Sequence, residues 1–162
     1  LLRSRAVAGD SDVSAAFEQL RRDALARYVR RDTLRDEVVK MRARMREELS
    51  KATADQFDLK QDPGGVADIE FIVQYLVLKD AADYPDLTEY SDNIRQLEAL
   101  ARNGLISESV AETLTDTYRN YRTRLHHLVL AGEKGLAPRA EIVDQASRVM
   151  QIWTSVFEVA DA

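Results

Sequence analysis

The sequence contains no cysteine and only two histidines, His126 and His127. Without thiols, disulfide staples and thiolate metal sites are excluded, and neighbouring histidines that diverge by about 100° on a helix do not begin a His-rich metal cage. Glycine and proline are also scarce, at six and three in 162 residues, whereas Ala, Leu, Arg and Glu are abundant. A chain poor in turn formers and rich in helix formers is expected to be all-α. No apolar run approaches the roughly 18 residues of a membrane span, and the opening LLRSRAVAGD lacks an export signal's apolar stretch. Neither a membrane nor export is therefore expected, and a cytoplasmic setting is the natural reading. Positive charge is in deficit, with 23 Lys and Arg against 28 Asp and Glu and a net charge of -5. That balance argues against a nucleic-acid partner held by phosphate neutralisation and favours a protein or small molecule. The phosphate loop GxxxxGK[ST], the GxSxG elbow and the HExxH zinc motif are missing as well.

What is present is a regular succession of helical patterns. The 45% hydrophobic content is enough for a packed core. Residues 13 to 30 carry Val13, Phe17, Leu20, Leu25 and Tyr28 near helical spacing behind the capping candidates Asp10, Ser11 and Asp12. A second helix is expected from Asp32 to Leu49, with Leu34, Val38, Met41, Met45 and Leu49 as its apolar stripe and Arg42, Arg44 and Arg46 on its solvated side. The segment around Phe57 and Leu59 breaks the period and runs into Pro63, Gly64 and Gly65, a short extended piece followed by a tight turn. From Val66 to Lys79 apolar residues cover nearly the whole circumference, which places that helix at the centre of the domain. Further helices are expected from Asn93 to Asn103, closed by Gly104, from the cap Ser107 to Gly132, and from Arg139 to Phe157 with Trp153 in its buried stripe. GEKGLAP reads as a loop. The whole is a single domain over residues 1–162, a bundle of about six helices.

One stretch exceeds what a plain bundle needs: Lys60-Gln-Asp-Pro-Gly64-Gly65-Val-Ala-Asp68-Ile-Glu70-Phe. Its glycine pair permits positive φ and close approach to the backbone. Free N–H groups at the following helix start, with Lys60, are a candidate anion cradle. Asp68 and Glu70 point about 200° apart on a helix and so do not form a carboxylate pair. Asp68 has a structural explanation as a first-turn acid; Glu70, on an otherwise apolar helix, must be paired with an arginine or face a site.

These residues carry a resemblance. FDLKQDPGGVADIEFIVQYLVL, with RSRAVAGD and RDEVVKMRARMREEL upstream and YSDNIRQLEALARNGLI and YRTRLHHL downstream, resembles the glutamine-synthetase adenylyltransferase/adenylyl-removing family over almost the entire chain. The resemblance implies the C-terminal helical domain of the adenylylating half, following a nucleotidyltransferase core that is not in this chain. It also implies transfer of AMP from ATP, with Mg²⁺, to a tyrosine of glutamine synthetase under control of the signalling protein PII. Because the GS-x-x-D-x-D carboxylates of such cores are missing here, the chain alone is expected to be inactive and to bind neither ATP nor Mg²⁺. Lys60, Gly64, Gly65, Asp68 and Glu70 are implied to line the nucleotide-facing side, with Lys60 on phosphate and Glu70 orienting a neighbour or the substrate. Arg3 and Arg5 are implied to leave the catalytic core and to face ATP. Two alternatives stand: the equivalent helical domain of PII uridylyltransferase, and a docking module for glutamine synthetase or PII without nucleotide contact.

Overall fold

The computed structural model describes residues 1–29 and 31–158. Among them six α-helices and a two-stranded ribbon succeed one another: α1 (Ser11–Arg27), α2 (Arg31–Leu49), β1 (Gln56–Asp58), α3 (Val66–Asp80), α4 (Asn93–Arg102), α5 (Glu108–Leu130), β2 (Leu136–Pro138) and α6 (Arg139–Phe157). A 3₁₀ turn at Pro85–Thr88 separates α3 from α4. The fold is all-α, as expected. Arg30, the last residue of the expected first helix, lies outside the described residues.

Helix boundaries follow local chemistry. The Asp10 carboxylate accepts the N–H groups of Asp12 and Val13 at the start of α1, Asp92 accepts that of Arg95, and Ser107 that of Val110. Each satisfies a donor that has no partner inside its helix. Gly104 and Gly132, just beyond α4 and α5, take the left-handed φ values of 71° and 73° that stop a helix cheaply.

Helix α3 is the centre. Ile69, Ile72, Val73 and Val77 are fully buried and meet Leu97 and Leu100 of α4, Leu114 of α5, and Val149 and Trp153 of α6 in one apolar cluster. Each such side chain contributes about 1.5–3 kcal/mol through burial. A second, smaller cluster lies beneath the ribbon, where Phe57, Leu59, Val66, Tyr121, Ile142 and Ala146 pack together. The loop expected at GEKGLAP instead contains β2, which pairs antiparallel with β1 in the register Phe57 opposite Ala137.

Two apolar stripes differ from expectation in the same way. In α1, Val13, Leu20 and Tyr28 stay 69%, 63% and 80% exposed, and the inward positions are Arg21 and Leu25. In α2, Met41 and Leu49 are exposed while Arg42 is buried, contrary to its expected place on the solvated side. An arginine thus occupies an inward position of each helix, a step of four from an inward leucine or valine. Its charge is tolerated because it is hydrogen-bonded: Arg21 donates to the carbonyls of Leu1, Leu2 and Thr88 at 3.0, 2.7 and 2.6 Å.

Candidate functional site

The turn between β1 and α3 is organised by two carboxylates. Asp58, in the strand, accepts the N–H groups of Lys60 and Gln61 on Oδ1 and that of Lys51 on Oδ2, at 2.9, 3.0 and 3.1 Å. Asp68, in the first turn of α3, is fully buried and accepts the Gly64 N–H at 2.6 Å on one oxygen and the Arg42 guanidinium at 2.5 Å on the other. Arg42 also donates to the Gln61 carbonyl at 2.8 Å, and Arg46 lies 3.5 Å from Asp68. Burial pulls the Arg42 guanidinium below its ordinary value, and the adjacent Asp68 charge pushes it back up.

This network corrects the anion cradle expected at the start of α3. The Val66 and Ala67 N–H groups donate to the carbonyls of Leu59 and Lys60 at 2.9 and 3.1 Å, and the Gly65 N–H to that of Asp62 at 2.8 Å. Chain atoms have taken the donors. The glycine pair has a packing reason too: Gly64 sits at φ 84° where a Cβ would overlap the Ala146 backbone of α6, and at Gly65 a Cβ would come within 2.9 Å of two carbonyl oxygens. What approaches closely at Gly64 is α6.

Glu70 emerges on a different side of α3, as the divergence of the two acids requires. Its Oε1 accepts the Tyr118 hydroxyl of α5 at 3.2 Å and an Arg3 N–H at 3.4 Å, while Arg3 also donates to the Asn93 side chain at 2.9 Å. Burial, and then the nearby Glu70 charge, push the Tyr118 hydroxyl above its ordinary value, so it remains a donor. Arg3 is half-exposed, with Asn93 buried beneath it. Neither Asn93 nor Tyr118 stood out in the sequence, where one began an expected helix and the other lay inside one. The available signal was a tyrosine, rather than a purely apolar residue, on the stripe facing α3. Arg5 borders a shallow cleft with Glu18, Glu89 and Arg95 and makes no ion pair among the described residues.

Lys60 stands apart. Its side chain is exposed, makes no hydrogen bond or ion pair among the described residues, and borders a groove of about 360 Å³ floored by Leu49, Leu125, Val129 and Leu136. The structure therefore brings Arg3 to Glu70, buries Gly64, Gly65 and Asp68 in the turn, and joins Lys60 to neither group by any bond. His126 and His127 are exposed, and no group of three or more His, Cys, Asp or Glu able to hold a metal ion occurs among the described residues.

Comparison with known proteins fits this picture of a helical unit. Residues 34–135 match the family described as GlnD PII-uridylyltransferase. Over the full chain the sequence is 44% identical to the bifunctional glutamine synthetase adenylyltransferase/adenylyl-removing enzyme of Thioalkalivibrio sulfidiphilus, of which it covers 17%. It is 43% identical over 98% of the chain to the protein of that name from Nitrosococcus oceani, and 38% identical over 99% to the one from Pasteurella multocida, covering 16% of each. The chain thus spans about a sixth of the length of these curated relatives. With the matched segment running from α2 through α5 and so taking in the turn, the central helix and Glu70 but not Arg3, the chain belongs to the GlnD PII-uridylyltransferase family.

Proposed function

We propose that this chain is a helical positioning domain of an enzyme that transfers AMP from ATP to a tyrosine of glutamine synthetase, and that the nucleotide is approached along the Arg3–Glu70 edge. Similarity along nearly all of this chain to one part of proteins so named supports the reaction. The observation that carries the site is the fixing of Arg3 by Glu70 and Asn93, with its side chain still 43% exposed. A guanidinium held in place before the reaction stabilises developing phosphate charge without having to be ordered during it. Glu70 acts through Arg3 as a positioning residue, and Tyr118 holds Glu70. Arg5 adds a second cation nearby in sequence. Gly64, Gly65 and Asp68 belong to this site only as the frame that sets the start of α3.

We leave Lys60 outside the nucleotide set, because no bond links it to the Arg3–Glu70 edge. ATP and Mg²⁺ belong to the reaction, but the described residues make no Mg²⁺ site. In this reading the metal-binding carboxylates reside elsewhere in a longer polypeptide, the isolated chain does not transfer AMP, PII acts as regulator, and the setting is the cytoplasm. In that longer enzyme, Arg3→Ala and Glu70→Gln are expected to lower kcat/KM for ATP by about 10- to 100-fold, the worth of one charged hydrogen bond. The thermal midpoint should move little, and Arg3→Lys should recover part of the loss. ATP dependence identical to the parent in both variants would rule out this edge as the nucleotide side.

A further inference from the structure

The groove beside Lys60 has a composition that the Arg3–Glu70 edge does not explain. The chain has five lysines, and three of them, Lys51, Lys60 and Lys134, border this one groove. None of the three makes an ion pair among the described residues, whereas Lys79 lies against Asp80. In a chain of net charge -5 such a concentration of unpaired cations is a local feature, not a background.

The lysines are brought together by defined bonds. The Asp58 carboxylate ties the Lys51 and Lys60 amides to one side chain. The Leu59 N–H donates to the Gly135 carbonyl at 3.1 Å, and the pairing of Asp58 with Leu136 carries Lys134 to the same place. Between them the floor is aliphatic, from Leu49, Leu125, Val129 and Leu136. Gln61, 5% exposed, also lines the groove, with its Oε1 enclosed by the chain and not open to a ligand.

We propose that this groove docks an acidic, amphipathic segment of a partner polypeptide, with aliphatic side chains on the floor and carboxylates on the three lysines. A nucleotide fits less well. Among the described residues no aromatic ring or guanidinium plane lines the groove to stack a base, and the α3 amides that would hold phosphate are already bonded. Val129 and Leu49, 69% and 47% exposed, continue the apolar floor outward, which suits an extended segment better than a small molecule. The proposal is independent of the assignment of Arg3 and Glu70.

The test uses the chain itself and a fluorescein-labelled peptide of leucines flanked by glutamates, followed by anisotropy and by amide chemical shifts. Binding is expected, with shifts confined to residues 49–61 and 125–136 and affinity falling as salt rises. Lys60→Glu combined with Lys134→Glu should weaken it by about tenfold or more. Lys40→Glu combined with Lys79→Glu, which alters net charge equally but away from the groove, should leave it unchanged. Absence of binding, equal weakening by the two double variants, or displacement of the peptide by ATP or inorganic triphosphate with the same lysine dependence would each overturn the proposal.

Discussion

The Asp68 carboxylate is the residue on which most of the turn depends, since it serves a buried guanidinium and the Gly64 amide at once. Arg42 Nη1 and Arg46 Nε beside it have no hydrogen-bond partner among the described residues, so two cations share one carboxylate. Removing that carboxylate leaves Arg42 buried and uncompensated, a change that costs about 3–5 kcal/mol. Asp68→Asn is therefore expected to lower urea-measured stability by about that amount, and Arg42→Met added to it should restore part of the loss. Simple addition of the two single costs in that cycle would show that the pair is not coupled. The sequence allowed a helix-start role for Asp68 and required a partner for Glu70, and both were correct. It placed Arg42 in solvent because a cation one position from the apolar Met41 reads as the outer face of a helix. Nothing local reveals that a carboxylate 26 residues later will turn it inward.

At the level of elements, α1 is held chiefly through Arg21, whose guanidinium meets carbonyls from residues 1, 2 and 88, with Leu25 the other buried side chain. Arg21→Met removes these bonds while keeping much of the side-chain volume. It should speed hydrogen exchange throughout α1, with α3 amides retaining their protection. Uniform acceleration in both helices would mean that α1 is part of the global cooperative unit. Helix limits were the most legible feature, because Asp10, Asp92, Ser107, Gly104 and Gly132 act within one turn of their own positions. The ribbon was only half legible. Around Phe57 the break in helical period was visible, but β2 is three residues long and owes its existence to a partner about 80 residues away. Asn93 and Tyr118 escaped notice for the same reason: their importance comes from α3 and Arg3, not from their neighbours in sequence.

For the molecule as a whole, alkaline stability rests partly on tyrosines. Burial pushes the Tyr121 hydroxyl well above the ordinary tyrosine value, and Tyr118 is raised as well. A native pKa above the unfolded one means that the stabilisation is fully present below about pH 10 and is lost as pH rises through the native value. Tyr121→Phe should flatten the alkaline decline in urea-unfolding free energy. It should cost within about 1 kcal/mol at neutral pH, since the Tyr121 hydroxyl makes no hydrogen bond among the described residues. An unchanged decline would assign the alkaline loss to other groups. The bare backbone contact of Gly64 with Ala146 has a mechanical corollary. There is no side chain between the turn before α3 and α6 at that point to act as a bearing, and Arg139, at the start of α6, clasps Asp62 and the carbonyls of Thr53, Ala54 and Gln56. A displacement of α6 would therefore be felt first at the turn that opens α3, one helical turn from Glu70.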